Sequence, residues 1–313
     1  MNLHASWAYF VLVAIVMGLA ATSLFRFVDT TSTANTRYTA IDGLRGFLAL
    51  SVFVFHLVLT HEFIQAGLWE VPSSRFYALL GPFGVSLFFM ITGFLFWGKL
   101  LRVQGRPPWL QIYTGRLFRI APMYLFVVLV MIYIVFTRTG FQLNEPVSEA
   151  VNSVLQWLAL GAINTQPNIN GYPATSVLAG VTWTITYEWA FYVSLMVTAF
   201  FARGRQHLLF VFIALGISLT GKVLLHSDIL GLSALFVTGV VIASLMHEKW
   251  ILPISSTAAS GLALVCLAMI FITSSSGYGT LTLIGLGLFL FCVHGGVPVW
   301  LTDINARPAS GQH

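Results

Sequence analysis

Residues Ile41–Leu59 read "IDGLRGFLALSVFVFHLVL". From Gly46 onward the run is apolar except for Ser51 and His56. A bilayer core of about 30 Å takes about 20 apolar residues as helix, so this run and its flanks predict a membrane span. Asp42 and Arg45 stand at its mouth. His56 follows Arg45 by eleven residues, about 16 Å deeper at the rise of an α-helix, which is near the bilayer centre. A titratable group there costs about 2.5–3.5 kcal/mol on insertion scales and by default marks a functional cavity. The alternative for a lone histidine is a neutral ring hydrogen-bonded to a neighbouring helix.

The rest of the chain has the same character. Its 313 residues are 58% hydrophobic, 14% aromatic and 8% charged, which excludes an ordinary soluble domain. Lys and Arg exceed Asp and Glu by 15 to 10, but they cluster between apolar runs instead of lining one face, so membrane topology accounts for them and nucleic acid does not. Cys266 and Cys292 each sit in an apolar run without Cys or His at ligand spacing, so neither a disulfide framework nor a metal is expected. The first apolar run, 7–27, lacks a basic n-region and reads as a retained anchor helix.

Runs of spanning length occupy 7–27, 44–61, 76–98, 118–137, 181–202, 207–224, 229–246, 255–273 and 279–297, with a shorter stretch at 150–163. They predict an all-α, polytopic integral membrane bundle of about nine to ten transmembrane helices, in one domain over 1–313. The segment Lys99–Arg119, "KLLRVQGRPPWLQIYTGRLFR", carries five basic residues and no acid, so the positive-inside rule places it in the cytoplasm. Counting outward puts the N-terminus and Glu62, Glu70, Glu145 and Glu149 outside. The count requires 150–163 not to cross, as a re-entrant or interfacial helix would not. The following "NTQPNINGYPATS" (164–176) has the composition of a structured loop, either an external lid or acceptor surface or a plain exposed connection.

Glu188, in "TWTITYEWAFY" (182–192), is the second intramembrane titratable group, about 10 Å into its predicted span. In "GPFGVSLFFMITGF" (81–94), Gly81, Gly84, Ser86, Thr92 and Gly93 suit close helix approach or cavity lining. Arg116 and Arg119 share a helix face and can clamp phosphates or simply anchor the helix end. P-loop, dinucleotide-binding and HExxH patterns are absent from the sequence. His, Glu and Arg suffice for general-base acyl transfer, in which an imidazole takes the proton of a hydroxyl attacking a thioester, in a water-poor site that spares the thioester.

Four segments in order, "DGLRG" with Arg45-x10-His56, "GVSLFFMITGFL" from Gly84, "RLFRIAPMY" from Arg116 and "TWTITYEWAFY" from Thr182, resemble the membrane-bound acyltransferase 3 family of bacterial O-acyltransferases over residues 40–200. The resemblance implies transfer of an acyl group, commonly acetyl, from cytoplasmic acyl-CoA as co-substrate to a hydroxyl of a cell-envelope polysaccharide or lipid-linked glycan, in the bacterial inner membrane. It implies His56 and Glu188 as the catalytic pair, Arg45, Arg116 and Arg119 as acyl-CoA ligands, and Asp42, Ser86, Trp183 and Tyr187 in support, with no bound cofactor. Asp42 either orients Arg45 or caps its helix. The chain departs from the family pattern in its extra helix at 7–27 and in ending at "VWLTDINARPASGQH", where a final family helix is expected and missing. The competing reading is a proton-coupled transporter or flippase of a glycan precursor, with His56 and Glu188 as relay; no internal inverted repeat supports it. Trp157, Tyr172 and Trp183 suit either sugar stacking or interfacial belts.

Overall fold

The computed structural model describes residues 7–20, 39–163, 165–204, 206–250, 255–274 and 278–295. Among them the chain is all-helical apart from one isolated bridge, Ile169 to Tyr172. The helices are α1 (Trp7–Ala20), α2 (Thr39–Ala66), α3 (Arg75–Arg102), α4 (Trp109–Arg138), α5 (Val147–Leu158), α6 (Ala174–Val177), α7 (Trp183–Thr198), α8 (His207–Leu224), α9 (Asp228–His247), α10 (Ser256–Thr273) and α11 (Thr280–Gly295), with one 3-10 turn at Phe201–Arg203. The protein is a helical membrane bundle. Five of the described helices, α2, α3, α4, α8 and α9, are long and apolar enough to cross a bilayer.

The other predicted spans coincide with shorter helices. α7 has 16 residues, about 24 Å, and the described parts of α1 and α11 have 14 and 16, while α10 has 18. α5, at 12 residues, is too short to cross. The connection holding Arg26 and Arg37 and the closing segment 296–313, on which the expectation of a missing final helix rests, lie outside the described residues.

The chain divides into two compact units, Met1–Gly98 with Leu208–His313, and Lys99–His207. In the first, α3 and α9 are the most enclosed helices. They touch backbone to backbone: a Cβ on Gly93 would lie 2.1 Å from the Phe236 carbonyl oxygen, and one on Gly239 only 1.9 Å from that of Met90. Glycine at both points is what permits the crossing. Around it, Phe89 stacks on Phe236 at 4.3 Å, and the buried Trp97 indole donates to Ser244 Oγ at 2.7 Å. The glycines and Ser86 therefore lie in packed helix contacts, as Gly81 and Gly84 do against Phe55 and Val52 of α2.

Further contacts complete this unit. Tyr9 and Val13 of α1 pack with Val54, Val58, Tyr77 and Leu80, and the Tyr9 hydroxyl bonds Ser51 at 2.8 Å. The Arg75 guanidinium, at the start of α3, donates to the carbonyls of Ile272 and Ser274 at the end of α10, satisfying acceptors a helix terminus leaves open. α9 and α10 start on serine caps, Ser227 accepting from Leu230 N–H and Ser255 from Ala258 N–H. α11 packs along α10 and against α9 and α2.

In the second unit, one stripe of α4 (Tyr124, Val128, Met131, Val135) packs on Trp157 of α5 and on Ile169 and Ala174. The opposite side of α4, including Phe118, Met123 and Phe126, is exposed, as a lipid-facing surface requires. α4 begins nine residues before the predicted 118, directly after Pro107-Pro108, because its polar first turns continue the helix beyond the apolar run. α5 is amphipathic: Ala150 and Trp157 are buried, Val147, Val151 and Leu155 form an exposed apolar stripe, and Ser148 and Asn152 face away.

The segment after α5 is built, not loose. Asn170 and Gly171 both have positive φ, and Ile169 and Tyr172 exchange backbone hydrogen bonds at 3.1 and 2.9 Å, the arrangement of a type I′ Asn-Gly turn. Both turn N–H groups donate to the Glu145 carboxylate. The fully buried Asn170 side chain accepts from Asn144 N–H and donates to Thr139 Oγ1 and the Gln142 carbonyl. Trp157 is a core residue, 1% exposed, with its indole N–H on the Pro167 carbonyl, so it offers no face to a sugar.

Candidate active site

In the first unit, the candidate residues sit on α2 and α3. Asp42 lies in the first turn of α2, three residues past its first residue, so it acts there as a charge on the helix dipole and not as the cap. Its Oδ1 is 3.7 Å from Arg45 Nη1, at exposures of 37% and 28%, a solvated pair at the helix entrance. His56 follows three turns later, half-buried. Its ring stands edge-on to Phe55 at 4.9 Å, and its Nδ1 is sealed from solvent with no hydrogen-bond partner among the described residues. Leaving a buried polar atom unpaired costs about 1–3 kcal/mol. Gly81 and Gly84 let α3 close on this stretch of α2, since a Cβ on either would meet Phe55 or Val52 at 2.6 Å. Ser86 is fully buried.

The second unit gathers the remaining candidates around one residue that sequence reading passes over, Tyr192. Glu188 is half-buried on α7, five residues past Trp183, and its Oε2 accepts from the Tyr192 hydroxyl at 2.8 Å. The Arg116 guanidinium lies over the Tyr192 ring, 5.8 Å from its centroid, and both Arg116 and Arg119 bear electrostatically on that residue. Tyr113, one turn before Arg116, donates its hydroxyl to the Tyr192 carbonyl at 2.7 Å. Tyr192 itself is 1% exposed. The acid and the two arginines, which come from two different sequence segments, thus share one buried aromatic. The available signals were the i,i+4 step from Glu188 to Tyr192 and the i,i+3 step from Tyr113 to Arg116.

Trp183 and Tyr187 meet edge to face at 5.6 Å at the start of α7. Thr182, just before them, accepts from Gln166 Nε2, while Thr186 and Trp189 donate to the carbonyls of Gly161 and Leu160, so α7 is laced to the segment after α5. Beside these contacts Ala162, Thr186, Trp189, Ala190, Val193 and Ser194 line an open apolar groove of about 510 Å³.

The arrangement in each unit bears on the motifs read from the sequence, and so does comparison with known proteins: a family model described as "acyltransferase domain" matches residues 38–307. The chain belongs to the acyltransferase 3 family. Comparison with curated proteins and with solved structures found no match. The matched region contains every candidate residue named above and extends well past residue 200, while α1 precedes it. This acyltransferase is therefore a multi-pass membrane enzyme whose chemistry is acyl transfer.

Proposed function

We propose that this acyltransferase moves an acyl group, acetyl in the simplest case, from cytoplasmic acyl-CoA to a hydroxyl of a cell-envelope polysaccharide or lipid-linked glycan in the bacterial inner membrane. The observation that carries the reading is the buried Nδ1 of His56, without a partner among the described residues, on the motif helix of a chain matching the acyltransferase domain. In the proposed reaction neutral His56 takes the proton of the acceptor hydroxyl as its oxygen attacks the thioester carbonyl. The tetrahedral intermediate collapses with cleavage of the C–S bond, and the imidazolium returns the proton to the departing CoA thiolate, regenerating neutral His56 and free CoA. Glu188 is assigned to orienting the acceptor, and Arg45, Arg116 and Arg119 to the CoA phosphates, for which guanidinium forks are suited. Ser86, Trp183 and Tyr187 hold their helices in place. The basic segment Lys99–Arg119 supports a cytoplasmic entry for the donor.

Reconstituted protein supplied with radiolabelled acetyl-CoA and isolated envelope glycan is expected to place base-labile label on the glycan, and His56→Ala to abolish it. Normal transfer by His56→Ala would sink the mechanism. Glycan flux without label transfer would instead favour the transporter reading. Mass spectrometry of envelope glycans with and without the protein identifies acceptor and acyl group together.

A further inference from the structure

We infer that Tyr192 is a positioning residue that holds the Glu188 carboxylate in its working orientation and ties it to the donor-binding Arg116. The inference deepens the proposed acyl transfer and rests on the roles given there to Glu188 and Arg116. It starts from two contacts made by opposite parts of one side chain. The hydroxyl donates to Glu188 Oε2 at 2.8 Å, and the ring lies under the Arg116 guanidinium at 5.8 Å. The residue has little freedom to do anything else: it is 1% exposed, its backbone carbonyl is engaged by Tyr113, and Trp189 and Phe191 stand edge-on at 6.0 and 6.1 Å.

Geometry gives each contact a separate consequence. A carboxylate on α7 has rotatable bonds that a fixed hydroxyl on the next turn can restrain, and small misplacement of a reacting group is expensive in rate. The ring, for its part, offers Arg116 a negative face that pre-sets the guanidinium before a phosphate arrives. A structural tyrosine would instead affect both catalytic parameters only through folding.

The two ends can be tested apart. Tyr192→Phe keeps the ring and removes the hydroxyl. It is expected to lower kcat about tenfold to a hundredfold, the scale of losing a hydrogen bond to a charged group, with the KM for acetyl-CoA unchanged. Tyr192→Leu removes both, and should add a rise of about twofold to fivefold in that KM from the lost cation–π contact. Infrared difference spectra between wild type and Glu188→Gln, with ring-labelled tyrosine, should show a shifted tyrosine C–O band, a readout that needs no Tyr192 variant to fold and no acceptor. Wild-type kcat in Tyr192→Phe, alongside an inactive Glu188→Gln, would overturn the inference while leaving the proposed function standing; so would the absence of a shifted tyrosine band. Full activity in Glu188→Gln would instead remove the role given to that acid. Equal loss in kcat and KM for Phe and Leu would reduce Tyr192 to a packing residue.

Discussion

The crossing of α3 and α9 makes a sharp prediction about glycine. At Gly239 an added Cβ would sit 1.9 Å from the Met90 carbonyl oxygen and 2.8 Å from the Phe94 nitrogen, where ordinary van der Waals contact begins near 3.4 Å. The helices would have to separate by about 1.5 Å locally, and neither obstructing atom belongs to a side chain that can swing aside. Overpacking a filled core costs about 1–3 kcal/mol where side chains can adjust; against backbone on both sides the cost should reach the upper end or exceed it. Gly93→Ala meets the Phe236 carbonyl at 2.1 Å and should behave alike.

The same pair of helices supplies a control. A Cβ on Gly98 of α3 would lie 4.0 Å from the Ala243 Cβ, an ordinary contact, and Gly216 of α8 and Gly261 of α10 have nothing within 4 Å. Alanine at these three should be neutral, or stabilising by up to about 1 kcal/mol through helix propensity. The assay is thermal unfolding of purified protein in one detergent, followed by fluorescence-detected elution, across all five variants. The expected order places Gly239→Ala and Gly93→Ala far below wild type and the other three at or above it. Gly239→Ala as stable as Gly261→Ala would refute the close crossing. Transfer activity should fall with stability in the first two, because α3 also packs on the helix that carries His56.

Two further outcomes concern the ends of helices and the turn after α5. Arg75→Ala removes both bonds to the α10 carboxyl end and should cost about 1.5 kcal/mol in the same assay, with Arg75→Lys recovering part of it. Asn170→Ala breaks three hydrogen bonds of a fully buried amide and should cost more than about 2 kcal/mol, seen as faster hydrogen exchange over 139–182 with the exchange of α3 and α9 unchanged.

How much of this was legible beforehand depended on the length scale of the signal. Spanning helices announce themselves through apolar run length, so α2, α3, α4, α8 and α9 were placed from composition alone. Their ends were not, because polar turns extend a helix without changing hydropathy: α2 runs five residues past each predicted limit, and α4 begins at Trp109. α7 came out short for the opposite reason, since apolar residues continue beyond its helical part. The structured character of 164–176 was visible in its Asn, Pro and Gly content, but the capture of the Asn170-Gly171 turn by Glu145, 25 residues earlier, has no local signature. At the candidate site, the residues were singled out by the cost of a titratable group in a membrane. Tyr192 was missed because a tyrosine among Trp, Phe and Val carries no such cost on paper; only its partners reveal it.

The cost argument also gives the two readings of His56 different expected outcomes. If the ring were held for structure, its nitrogens would be hydrogen-bonded, and replacing it would forfeit those bonds. Among the described residues Nδ1 is instead buried without a partner, which costs about 1–3 kcal/mol. His56→Phe preserves the edge-on ring contact with Phe55 and removes the unsatisfied nitrogen. It should therefore melt at or above the wild-type temperature while transferring no acyl group, the stability-for-activity exchange expected where a site is strained for function. A His56→Phe protein that is both destabilised by more than about 1 kcal/mol and inactive would point to a structural ring. One that is stable and active would remove His56 from the chemistry altogether.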